Sequence, residues 1–168
     1  LFIALITVCS WISIPTTVPF TLQTFGVFVV VGILGGKLGT IAVIGYVILG
    51  AIGIPVFSGF SGGMGVIMGA TGGYIVGFIF AALVMWLFER LLGSRLWVLI
   101  VSMIAGLVVC YAFGTAWYMI VYTSNTGAVG LGTVLSWCVI PFIVPDVVKI
   151  ACAAIITERV KKYSRVKA

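Results

Sequence analysis

Histidine is absent from this chain of 168 residues, and only three residues are acidic against nine that are basic. Charged residues make up 7% of the total, whereas a soluble domain carries roughly 25%. A water-facing surface cannot be built from so few. With no imidazole and almost no acids, general acid–base chemistry and metal-assisted hydrolysis lack the residues they need. The cysteines Cys9, Cys110, Cys138 and Cys152 stand singly inside apolar stretches. No C-x-x-C pair occurs, so a zinc site is excluded and buried free thiols are expected. No phosphate-cradling GK[ST] loop is present either.

What the chain has is apolar: 63% of its residues are hydrophobic. Those side chains need a solvent other than water, and lipid is the available one. The expected fold is therefore all-α, a polytopic membrane protein with six transmembrane helices in a single domain over residues 1–168. Breaks in hydrophobicity place the spans at about 1–14, 21–34, 40–54, 66–92, 96–122 and 145–160. The first is read as a membrane helix missing its start and not as a signal peptide. Pro141 and Pro145 interrupt the last region, so the main sixth helix is set to begin near Pro145. Residues 131–140 then form a short interfacial or re-entrant helix. Spans of about 15 residues fall short of the ~20 that a perpendicular crossing takes, which implies a depression open to water on one side.

Basic residues orient the chain. Lys37, Arg90, Arg95 and the tail residues Arg159, Lys161, Lys162, Arg165 and Lys167 all fall on one side. The segments 15–20, 55–65 and 123–130 on the other side hold none. Both termini are thus expected in the cytoplasm. The basic tail suits anionic lipid headgroups better than nucleic acid. Small-residue pairs such as Gly69-x-x-x-Gly73 and Gly73-x-x-x-Gly77 predict close packing between helices of the same chain. No internal repeat is evident, so an inverted-repeat transporter is not indicated.

Polar groups in such a chain point to its site. Asp146 and Lys149, at i and i+3, share one helical face near a proline-bounded helix start. They form either an intrahelical ion pair or an acid and base that grip a ligand. The segment Ser58–Tyr74, SGFSGGMGVIMGATGGY, is either a flexible linker or a stretch whose backbone approaches a small ligand. Ser61, Thr71 and Tyr74 are its candidate contacts. Gln23 and Thr24 open the second span, and Gln23 bonds either a neighbouring helix or the ligand.

The motifs VPFTLQTFGV (18–27), LGGKLGT (34–40), GIPVFSGFSGGMG (53–65), TGGYIVGF (71–78) and IPFIVPDVVKI (140–150) follow one another in that order. Together they resemble the BioY family, the biotin-specific substrate-binding components of energy-coupling factor transporters, over nearly the whole chain. The resemblance implies a six-helix protein that captures biotin from outside and works with a transmembrane scaffold subunit and two cytoplasmic ATPases. It further implies that Asp146 and Lys149 bind the ureido ring, a carboxylate accepting from N–H groups and an ammonium donating to the urea oxygen. Gln23 and Tyr74 match the family, whereas the position of Ser61 can be Asn in relatives. Phe20 and Phe25 are expected walls for the apolar part of the ligand. Family members meet the scaffold through an A-x-x-x-A spacing in the first helix, where this chain has Ala4 and Val8 beside Thr7. The implied ligand is biotin, with no permanent cofactor and no metal. A carrier of the same fold for thiamin or riboflavin is the alternative, and a small oligomeric channel a more distant one.

Overall fold

The computed structural model describes residues 1–14, 20–126 and 130–167. Its helices are α1 (Phe2–Trp11), α2 (Gln23–Leu34), α3 (Gly36–Ala51), α4 (Met64–Met68), α5 (Gly72–Leu92), α6 (Leu96–Thr126), α7 (Leu131–Cys138) and α8 (Ile140–Lys167). A short antiparallel pair, β1 (Ser13–Ile14) and β2 (Phe20–Thr21), links α1 to α2. Three helical stretches are long and apolar enough to cross a membrane, Gly72–Leu92, Leu96–Thr123 and Leu131–Tyr163, and three shorter apolar helices stand beside them.

The distribution of side chains is that of a protein dissolved in lipid. Ile41, Ile48, Leu83, Leu87, Val101, Ile104, Val108, Val144, Val147 and Val148 lie exposed, while Ser10, Gln23, Thr40, Ser102, Thr115, Asp146, Lys149 and Thr157 are buried. Hydrocarbon accepts the first set without penalty and rejects the second. Three of the thiols are buried as expected, but Cys152 faces outward.

α5 and α6 form the most extensive helix pair, and α2 packs on α8, α1 and α3. Glycine permits these contacts. A Cβ on Gly73 would lie 2.2 Å from Trp117 Cβ, and one on Gly77 would lie 2.9 Å from Cys110 Sγ. The small-residue pairs thus serve contact inside the chain.

Several boundaries differ from the sequence reading. Only Gly35, at φ 79°, separates α2 from α3, so the GGKLG segment mostly opens α3 rather than closing the second span. The side chain of Glu89 accepts a hydrogen bond from the Gly36 N–H, supplying one of the free donors of that helix start. The expected fourth span 66–92 is broken: α4 ends at Met68 and α5 begins at Gly72. Here the chain folds back so tightly that a Cβ on Gly72 would sit 1.7 Å from the Ile67 carbonyl oxygen. The last helix starts at Ile140, not near Pro145, because Pro141 occupies its first turn and Pro145 is accommodated inside. The separate short helix expected over 131–140 is present as α7. Residues 15–19 and 127–129 of the two expected outer turns lie outside the described residues, whereas residues 123–126 continue α6.

Candidate functional site

The three short helices α1, α2 and α3 have 10, 12 and 16 residues, below the ~20 of a full crossing. At the end of the bundle away from the basic tail, the space they leave is occupied by connecting segments. The largest connector, residues 52–71, is ordered. Phe57 N–H donates to the Ser61 carbonyl at 3.0 Å, and Gly63 N–H reaches the Gly50 carbonyl at 2.6 Å. Ser61 Oγ donates to the Ser58 carbonyl at 2.7 Å. A structured roof, not a loose linker, covers this end.

Beneath it lies a cavity of about 190 Å³. Gln23, Ser61, Thr71, Tyr74, Asp146 and Lys149 all line it, although they come from four separate places in the sequence. Phe57, Phe78, Leu107, Tyr111 and Phe142 supply apolar wall. A few polar groups converging among aromatic and aliphatic walls is the makeup of a small-molecule site.

The polar centre is the pair predicted from the i, i+3 spacing. Lys149 Nζ donates to Asp146 Oδ1 at 2.7 Å and to the Thr21 carbonyl at 2.7 Å. Asp146 is 2% exposed and Lys149 6%, so water does little to screen them. The two side chains form one buried ion pair, in which each charge has an opposite partner. An ammonium has three donors and an ionised carboxylate about four acceptor sites. Hydrogen-bonding capacity therefore remains on both for a ligand in the cavity they line. Lys149 Nζ also stands 4.4 Å from the centre of the Phe20 ring, which stacks on Phe142 at 5.7 Å. Phe20 thus supports the ammonium from beside the cavity and is not one of its lining residues.

The Gln23 carboxamide donates from Nε2 to Tyr46 Oη at 2.8 Å, and Tyr46 Oη donates to the Val56 carbonyl at 2.9 Å. Ser10 Oγ reaches the same carbonyl at 2.5 Å. Gln23 therefore bonds a neighbouring helix and also lines the cavity. The Tyr74 hydroxyl lies 3.2 Å from Thr115 Oγ1, so its ring lines the cavity while its hydroxyl braces α5 against α6. Phe25, expected as a wall, instead packs against the main apolar core.

Sequence reasoning missed Tyr111, whose hydroxyl donates to Asp146 Oδ2, and the aromatic walls Phe57, Phe78 and Phe142. A weak signal for Tyr111 did exist: it is one of five hydroxyl-bearing residues in the apolar span 96–122. Phe57, Phe78 and Phe142 each fall inside one of the motifs quoted above, but composition alone did not mark them as wall among 11 phenylalanines. Among the described residues no group of three or more metal-ligating side chains occurs.

Comparison with known proteins agrees across sequence and structure. The BioY family matches residues 1–166. A protein named biotin transporter BioY from Thermotoga maritima is 45% identical over 163 residues, covering 96% of this chain and 92% of that protein. A probable biotin transporter BioY from Pyrococcus horikoshii is 43% identical over 162 residues, with the same coverage. A crystal structure described as the S-component for biotin from an ECF-type ABC transporter superposes with a TM-score of 0.85 at 26% identity, covering 96% of this chain and 87% of that one. This chain belongs to the BioY family.

Proposed function

We infer that this chain captures biotin in the cavity beside Asp146 and Lys149 and serves as the substrate-binding component of an energy-coupling factor transporter. The observation that carries the reading is a buried acid–base pair lining a small cavity, in a membrane chain whose relatives are named biotin transporters. The fused ureido ring presents two N–H donors and one carbonyl acceptor. Asp146 accepts from the donors and Lys149 donates to the carbonyl, while Gln23, Ser61, Thr71 and Tyr74 frame the bicycle and the acyl tail. Phe20 holds the ammonium in place by cation–π attraction, an interaction worth ~0.5–2 kcal/mol.

All six apolar helices cross the bilayer, with the cavity outside and both termini in the cytoplasm. The exposed basic residues Lys37, Arg90, Arg95 and Arg159 at the opposite end support this orientation. Energy for uptake comes from two partner ATPases through a transmembrane scaffold, since this sequence contains no nucleotide-binding motif of its own. Its role is binding and not catalysis.

Isothermal titration of the purified protein with biotin, thiamin and riboflavin tests the reading directly. Saturable binding of biotin alone is expected. Preference for thiamin or riboflavin would assign the fold to another vitamin. A fluorescent-protein fusion at the C-terminus, bright only when folded in the cytoplasm, checks the orientation.

A further inference from the structure

The Asp146 carboxylate is held from both sides. Lys149 takes Oδ1, on the same helix, and the Tyr111 hydroxyl donates to Oδ2 from α6. The ring of Tyr111 also forms part of a second, outward-facing groove of about 690 Å³ between α6, α7 and α8. That groove is lined by Ile104, Val108, Leu135, Val139, Ile143 and Val147, among others, and it shares Leu107 and Tyr111 with the inner cavity. Tyr111 is therefore part of the partition between the ligand cavity and the lipid side.

A phenylalanine would seal such a partition as well as a tyrosine. The hydroxyl adds a desolvation penalty in this wall unless it is bonded, and among the described residues its recorded hydrogen bond is to Asp146. α6 contributes only Leu107, Cys110 and Tyr111 to the cavity lining, so this hydroxyl is the helix's one oxygen-borne polar contribution there. With one donor fixed on each oxygen, the carboxylate plane cannot rotate. Its remaining lone pairs face a set direction before any ligand arrives.

We propose that Tyr111 is a positioning residue for biotin capture: it orients the Asp146 carboxylate so that its free lone pairs meet the ring N–H groups. The proposal rests on the biotin reading above. Hydrogen bonds to charged groups are among the stronger ones, and losing an orienting bond of this kind weakens ligand binding by about tenfold, or ~1.4 kcal/mol.

The test is a double-mutant cycle in detergent, reading biotin affinity by isothermal titration and folding by melting temperature. Tyr111→Phe is expected to melt near the unsubstituted protein yet bind biotin about tenfold more weakly. In an Asp146→Asn background the same change should have no further effect, because the group through which Tyr111 acts has been altered. Tyr111→Met, an apolar side chain that adapts its shape, replaces Tyr111→Phe should the latter not fold. Unchanged affinity in Tyr111→Phe, or an equal loss in both backgrounds, overturns the positioning role and leaves the capture reading intact. No biotin binding by the unsubstituted protein overturns the capture reading and the positioning role with it.

Discussion

The two ends of this molecule treat charge in opposite ways. At the end with the basic tail, connections are short, Gly35 alone and then Gly93–Arg95, and Lys37, Arg90, Arg95 and Arg159 are exposed. At the other end the connections are long, yet Asp146 and Lys149 are buried and paired. Charge in the first place costs little and anchors the protein at an interface. Charge in the second place is expensive and persists only where each group has partners. The contrast separates the residues that we propose orient the protein in its membrane from those that we propose bind ligand.

Substitutions that cross this divide should show it. The largest effect is expected for Asp146→Ala, which leaves the Lys149 ammonium buried against the Thr21 carbonyl. Loss of one partner of a buried pair costs ~3–5 kcal/mol of stability, and biotin binding should vanish in titration. If Asp146→Ala melts and binds like the unsubstituted protein, the buried pair is not the centre of the site. Next comes Gly114→Ala, whose new methyl would meet the Tyr74 ring at 2.2 Å. Overpacking of this kind costs ~1–3 kcal/mol, visible as a lower melting temperature together with weaker biotin binding because Tyr74 lines the cavity. Gln23→Leu removes the amide that bonds Tyr46, which keeps its own bond to the Val56 carbonyl. A loss of ~0.5–1.5 kcal/mol in stability and a moderate loss of biotin affinity are expected. The smallest effect belongs to the opposite end. Arg95→Ala should change stability by less than ~0.5 kcal/mol and leave biotin affinity untouched; a tenfold loss there would break the division between the two ends.

Much of the lining of the candidate site was legible in the sequence, for a physical reason. In a chain with so few polar residues, each one inside an apolar stretch needs an explanation, and Asp146, Lys149, Gln23 and Tyr74 were conspicuous on that ground. The motif order carried the family. The positions of Phe25 and Phe20 were harder. Aromatic residues are welcome in the core, at the lipid face and in a cavity wall alike, so composition cannot separate Phe25, in the core, from Phe57 and Phe142, in the cavity wall. Helix boundaries failed in a similar way. Glycine-rich segments read as loops, yet 36–39 is the first turn of α3, where small residues let helices approach one another, while 69–71 is a true break.

Hydrophobicity and charge, read along the chain, determined that this protein lives in a bilayer, is helical, groups its basic residues mainly in two short connections and the tail, and holds one acid–base pair at i, i+3 ahead of that tail. These are local properties, set by transfer free energies and by the pitch of a helix. Tertiary structure alone decided that α6 brings the Tyr111 hydroxyl to the second oxygen of Asp146, that Gln23 meets Tyr46, and that the 52–71 segment roofs a cavity. Such juxtapositions join residues tens of positions apart, and they depend on which helix faces pack together, which no local pattern encodes.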